Sequence, residues 1–126
     1  MTGRIVHFEI PFDDGKRARS FYSDVFGWRA EEMPDMEYTM AMTGPVGDDG
    51  MPTEPGYING GMFQRNEQLK GPVLTIAVDS IDDALKKVEA SGGTTIEGRQ
   101  AVGDMGFTAY INDSEGNVIG LWENAS

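Results

Sequence analysis

The sequence predicts an α+β domain built from two βαβββ modules in tandem, and three observations predict it. Element order repeats between the two halves of the chain. Each half carries one helix with a capping acid or hydroxyl at its start and glycine at its stop. The apolar residues change from two-residue to three- and four-residue spacing wherever strand gives way to helix.

In the first half, Arg4–Phe12 (RIVHFEIPF) alternates apolar and polar residues and reads as a half-buried strand whose Pro11 puts its end near a sheet edge. Asp14 is the expected cap of a helix over Lys16–Phe26. Its stripe is Ala18, Phe21, Tyr22, Val25 and Phe26, and Gly27 ends it. Strands follow near Trp28–Glu32, Tyr38–Met42 and Tyr57–Gln64. Between the last two, Thr43–Gly56 is rich in Gly, Pro and Asp, and its length makes it a candidate lid or mobile rim.

In the second half, Pro72–Asp79 is a strand, and Ser80 caps a helix over Ile81–Ala90 that buries Ile81, Ala84, Leu85 and Val88 before Gly92-Gly93. Thr94–Glu97, Thr108–Asn112 and Val118–Glu123 are strands, the last two joined by a turn at Asp113–Asn117. Laying residue 10 on residue 76 also superimposes Asp13 on Asp79, Ala18 on Ala84 and Gly27 on Gly93. The modules therefore cover about 4–64 and 72–124 of one domain spanning residues 1–126.

Composition narrows the function. The chain has no cysteine, which excludes disulfides, thiolate metal sites and cysteine nucleophiles. Ten Lys+Arg against 21 Asp+Glu give a formal charge of -11, so nucleic acid is not an expected partner; the acidity suits a well-solvated surface first and a cationic small molecule second. No run approaches the ~20 apolar residues of a membrane span. Met1–Ile10 carries Arg4, His7 and Glu9 rather than a signal-peptide core, so the expectation is a cytoplasmic protein that meets no membrane. Gly103–Gly106 is a glycine-flanked loop without the lysine of a phosphate loop, and no serine-centred elbow is visible. The eight methionines suit either an adaptable ligand surface or an irregular core.

Three segments carry a resemblance. "HFEIPFDDGKRARSFYSDVFGW", "VDSIDDALKKVEASGG" and "YINDSEGNVIGLWE" resemble, in order and spacing, the vicinal oxygen chelate superfamily of glyoxalase I, bleomycin-resistance proteins and extradiol dioxygenases. The resemblance covers Arg4 to Glu123. It implies two βαβββ modules forming a curved, cavity-lining mixed β-sheet with helices outside, often completed by a second subunit. A homodimer is therefore expected.

The metal-dependent members place ligands at positions that correspond here to His7, Gly60 (Gly61 if the register shifts by one), Val73 and Gly120. Only His7 offers a donor, so no metal and no other cofactor is expected. A displaced divalent-metal site built from His7, Glu9 and a further acid is the minority alternative. His7 is the sole histidine, which removes the two-histidine set of a ring-cleaving dioxygenase. By the family analogy the ligand cavity is lined by His7, Glu9, Gly60, Met62, Val73, Gly120 and Trp122, and replacing a carboxylate by glycine leaves a more apolar pocket.

Two functions remain. One is a metal-independent protein that binds a small organic ligand, cationic by preference. The alternative is a glyoxalase-related lyase, isomerase or hydroxylase-type enzyme in which His7 and Glu9 act as the catalytic acid–base pair, with or without a displaced metal.

Overall fold

The structure is a computed structural model that describes residues 3–33 and 37–125. It contains ten elements: β1 (Ile5–Phe12), α1 (Gly15–Phe26), β2 (Arg29–Met33), β3 (Tyr38–Met42), β4 (Gly60–Gln64), β5 (Val73–Ala77), α2 (Ile81–Ala90), β6 (Thr94–Val102), β7 (Gly106–Asn112) and β8 (Val118–Asn124). The class is α+β, and the chain divides into two compact units. Residues 7–72 form the first. Residues 73–126 form the second together with the first six, whose Gly3 N–H donates to the Ala77 carbonyl at 2.7 Å.

Both units have the order strand–helix–three strands, and both arrange their strands alike. The first runs β2-β3-β4-β1, the second β6-β7-β8-β5. In each, the first strand lies parallel to the last (β1 with β4, β5 with β8), and the remaining pairs are antiparallel.

The second unit has the better-formed core. Ile81, Ala109, Ile111 and Leu121 are its fully covered residues, with Ala84, Leu85, Val88, Ile76 and Ile119 against them, so the apolar stripe of α2 packs on one face of the sheet. The helix starts where Ser80 Oγ accepts the Asp83 N–H and where Glu123 Oε1 accepts the Ile81 N–H at 2.8 Å. Asp82 and Asp83 lie in its first turn and Lys87 in its last, both favourable toward the helix dipole.

The first helix begins as expected, with Asp14 accepting the Arg17 N–H at 3.0 Å. It ends at Gly27, whose φ of 76° is the left-handed conformation glycine adopts readily. Its apolar stripe behaves differently. No residue of α1 is buried, and Phe21, Val25 and Phe26 are 52%, 57% and 62% exposed. The aromatics gather on one another instead, with Tyr22 stacked on Trp28 at 4.7 Å between centroids and Phe21 edge-on to Tyr22 at 5.2 Å.

Several strand bounds differ from expectation: β5 is shorter (Val73–Ala77), β7 begins earlier at Gly106, and two others differ for identifiable local reasons. β4 starts at Gly60 rather than Tyr57 because Tyr57 and Asn59 serve the preceding loop. β6 runs on to Val102 because register shifts on either side of Glu97 absorb the residues around Gly98 without ending the ladder with β7. No helix among the described residues is long and apolar enough to cross a membrane.

Candidate functional site

The chemistry of the first unit collects on one face of its sheet. Alternation along β1 sends His7, Glu9 and Pro11 to the same side, and the parallel register opposes Glu9 to Gly61 and Pro11 to Phe63. On the antiparallel side, Tyr38 opposes Phe63 and Met40 opposes Gly61, so Tyr38 and Met40 share that face. Tyr38 lies across the strand between and reaches both residues of β1. Its hydroxyl donates to Glu9 Oε2 at 2.8 Å and lies 2.7 Å from His7 Nε2. The His7 and Tyr38 rings are within 18° of coplanar with centroids 6.4 Å apart, an edge-to-edge placement joined by that hydrogen bond.

The bond directions follow from the proton count. A phenol has one proton; with that proton on the Glu9 side, the Tyr38 oxygen accepts from His7 in the tautomer that carries its proton on Nε2, and Nδ1 is then the bare nitrogen. Burial holds His7 below its ordinary value of 6.5, and the nearby Glu9 carboxylate opposes that shift only in part. Glu9 itself is 7% exposed.

Gly61 makes the arrangement sterically feasible. A methyl group there would lie 1.8 Å from the Tyr38 hydroxyl oxygen and 2.0 Å from the carbon bearing it, so the phenol occupies the volume a side chain would need. Gly60 has another role. Its missing Cβ would strike the Phe8 carbonyl at 2.4 Å, on the face away from His7 and Glu9.

The expectation that Gly60 and Met62 line the His7 side is therefore corrected. Met62 pairs with Ile10 and Thr39 on the opposite face and is 1% exposed, as a core side chain. A shift of one residue moves every side chain to the other face, and that shift separates expectation from structure here.

In the second unit Val73, Gly120 and Trp122 do share a face, since Thr75 opposes Gly120 and Ala77 opposes Trp122. Val73 is fully covered, and the Thr75 hydroxyl would lie 2.8 Å from a Cβ at Gly120. The Trp122 indole N–H donates to Asn124 Oδ1 at 2.7 Å, and its ring lies over Gly106, where a Cβ would come within 2.6 Å of it.

At the four positions that the resemblance aligns with metal ligands, His7 Nε2 is hydrogen-bonded to Tyr38, the Tyr38 hydroxyl fills the space beside Gly61, Val73 has no donor atom, and the Thr75 hydroxyl fills the space beside Gly120. No group of three or more His, Cys, Asp or Glu residues is placed to hold a metal ion among the described residues. Glu123, the nearest acid to Gly120 in sequence, turns to the helix side. Its carboxyl lies below the usual range because it accepts the Ile81 N–H, with Arg99 at 3.3 Å adding to the effect.

The segment after β3 is tied down rather than loose at its base. Asn59 Oδ1 accepts from Thr43 N–H at 2.7 Å, Thr43 Oγ1 donates to the Ile58 carbonyl, and the Tyr57 hydroxyl donates to the Pro45 carbonyl at 2.6 Å. Those bonds join residues 43–45 to residues 57–59 and fix the two ends of the segment against each other. The third member of the site, Tyr38, was missed by sequence reasoning. The signal for it was the Gly60-Gly61 pair inside a strand, which marks a close approach from a neighbour.

Comparisons with known proteins agree with this architecture. Residues 4–44 match the family described as bleomycin resistance protein-like N-terminal. Mycobacterium bovis and Mycobacterium tuberculosis each have a protein provisionally named glyoxylase CFP32 that is 30% identical over 122 residues, 91% of this chain. The chain spans 43% of the length of those relatives. A glyoxylase-like domain-containing protein of Didymella fabae is 29% identical over 94% of this chain and 91% of its own. Among solved structures, methylmalonyl-CoA epimerase of Streptomyces coelicolor, in complex with 2-nitronate-propionyl-CoA, superimposes with a TM-score of 0.65 at 16% identity over 100% of both chains. The Mycobacterium tuberculosis epimerase gives 0.58 at 20% identity, over 98% of this chain and 89% of its own. At those identities the likeness is one of fold.

Proposed function

We propose that this chain is a member of the vicinal oxygen chelate (glyoxalase and bleomycin-resistance) superfamily, a reading supported by its match over residues 4–44 and by its glyoxylase-like relatives, and that it is a metal-independent protein that binds a small organic ligand on the sheet face carrying His7, Tyr38 and Glu9. One observation carries this reading. The Tyr38 hydroxyl fills the volume beside Gly61, where a metal-binding member would place a ligand side chain. What remains is a few convergent polar groups among apolar neighbours, Met40, Phe63 and Pro11, the pattern of an organic-ligand site. The formal charge of -11 favours a cationic guest.

Isothermal titration with bleomycin and a set of amine-bearing antibiotics tests the reading, together with elemental analysis after incubation with Ni²⁺, Zn²⁺, Mn²⁺ and Fe²⁺. Stoichiometric binding of an organic cation, weakened in His7→Ala, with no stoichiometric metal, is the expected result. Near-stoichiometric metal that disappears in His7→Ala would refute it. The family analogy further supports a homodimer, the charged residues of Met1–Ile10 favour a cytoplasmic location, and a monomeric mass in light scattering would remove the dimer.

The hydrogen-bonded chain from His7 through Tyr38 to Glu9 favours a second reading, a glyoxalase-related isomerase or lyase. A neutral imidazole backed by a phenol and a carboxyl can take a proton at Nδ1 while its Nε2–H stays engaged. The glyoxylase names of the relatives direct the first assay to glyoxalase-type isomerisation. Turnover that disappears in His7→Ala, with the fold retained, would replace the first reading by this one.

A further inference from the structure

We propose that Tyr38 is a positioning residue of the His7–Glu9 site, admitted by the missing side chain of Gly61, and that it holds His7 as the Nε2–H tautomer so that Nδ1 is the basic atom. The geometry supports each part. The Tyr38 oxygen lies within hydrogen-bond distance of both His7 Nε2 (2.7 Å) and Glu9 Oε2 (2.8 Å), and its single proton serves Glu9. It can therefore only accept from the imidazole. The near-coplanar rings place that oxygen in the imidazole plane, where an Nε2–H points.

Side chains on β1 alone would leave the imidazole free to rotate and to change tautomer. Tyr38 comes from a strand that is not adjacent to β1 and crosses β4 at its one unobstructed point, since all three of the nearest atoms to a Cβ at Gly61 belong to the Tyr38 phenol. In the second unit the corresponding place is filled from the neighbouring strand position. Val73 and Thr75 correspond to His7 and Glu9 by the repeat, and the hydroxyl beside Gly120 belongs to Thr75 itself.

The consequence is chemical selectivity at one atom. A ligand group meeting His7 at Nδ1 meets a lone pair, so it must bring an O–H, N–H or acidic C–H; a carbonyl or carboxylate oxygen at that place would be repelled. This extension to the ligand rests on the ligand-binding reading above, whereas the tautomer stands on the geometry alone.

The test uses the fact that His7 is the sole histidine, so long-range ¹H–¹⁵N correlation of the uniformly labelled whole protein shows one imidazole. At a pH where the ring is neutral, the expected spectrum has Nε2 as the protonated nitrogen, Nδ1 as the bare one and a slowly exchanging Nε2-bound proton. In Tyr38→Phe the ring remains but the acceptor is gone. The Nε2 proton signal should be lost to exchange and the two nitrogen shifts should move toward each other, while the far-ultraviolet circular dichroism is unchanged. A wild-type spectrum with the proton on Nδ1 would overturn the proposal, and so would an Nε2 signal in Tyr38→Phe identical to wild type. Either result is read without any ligand, so it is independent of whether bleomycin or another cation binds.

Discussion

Replacing Gly61 by alanine is the sharpest perturbation the structure offers. The added methyl would lie 1.8 Å from the Tyr38 oxygen, 2.0 Å from Cζ and 2.2 Å from Cε2, all far inside contact distance, so one partner must move. Backbone on a central strand is harder to displace than the end of a phenol, and the lowest-energy response is for Tyr38 to swing off the face. That loses the hydrogen bond to the Glu9 carboxyl, worth about 1.5–3 kcal/mol if charge-assisted, and the bond to neutral His7, worth about 0.5–1.5 kcal/mol. Reduced entropy of the unfolded chain returns about 0.4–1 kcal/mol. The expected net loss is about 1–4 kcal/mol, read as a fall of about 0.5–2 M in the urea midpoint at unchanged slope. A double-mutant cycle isolates the cause: in a Tyr38→Ala background the same Gly61→Ala change should be close to neutral, because the three nearest atoms it would strike are gone. A loss of similar size in both backgrounds would refute the argument, since the clash would then lie with the strand and not with Tyr38.

Two further outcomes follow from the charged groups. His7 should titrate below 6.5 by NMR, and Glu9→Gln should lower the midpoint further by removing the opposing carboxylate; a rise in Glu9→Gln would contradict the assigned electrostatics. Because the folded pKa is depressed, the unfolded chain binds the proton first. The His7 contribution to stability is therefore complete above about 6.5 and is lost as pH falls from there through the folded value, so urea curves of wild type and His7→Gln should differ most above that window and converge below it. Glu123→Ala removes the carboxyl that accepts the Ile81 N–H at the start of α2 and should lower stability by about 1 kcal/mol. Arg99→Ala, which removes the ion pair and the guanidinium over the Phe107 ring, should cost less, and an equal cost would show that the cap is not the larger contribution.

The fold was legible because its signals are local and repeated. Caps at Asp14 and Ser80, glycine stops and period-two strands each fix one element, and the same order in both halves fixes the topology. The failures came where tertiary choice decides. The α1 stripe has the spacing of a core-facing helix, yet spacing records only that apolar residues share a face, not that the face is covered. The strand expected over Thr94–Glu97 runs on to Val102 through register shifts that local pattern does not announce. Within the site, His7 and Glu9 were legible as a pair because alternation on one strand puts them together. Tyr38 was not, because it lies 31 and 29 residues away and its approach depends on register. Two adjacent glycines on a strand announce a close approach on each face but do not say which neighbour takes which.

That register also makes the two modules comparable position by position. Glu9 opposes Gly61 and its repeat equivalent Thr75 opposes Gly120, so Gly61, not Gly60, corresponds to Gly120. At both places the volume beside glycine is taken by a hydroxyl, from Tyr38 in one module and Thr75 in the other. Neutral hydroxyls are poor substitutes for carboxylate or imidazole at a divalent metal. On the proposed metal-independent reading, two residues in each module act together, the glycine that opens the space and the hydroxyl that fills it. A reversal should obey the same rule. Gly61→Glu alone should leave metal content at background, because Tyr38 blocks the new side chain, whereas Gly61→Glu combined with Tyr38→Ala places a second carboxylate beside His7 and Glu9 and should retain measurable Zn²⁺ or Ni²⁺ by elemental analysis. Equal metal retention by the single and double variants would mean that Tyr38 is not what keeps a ligand out of this face.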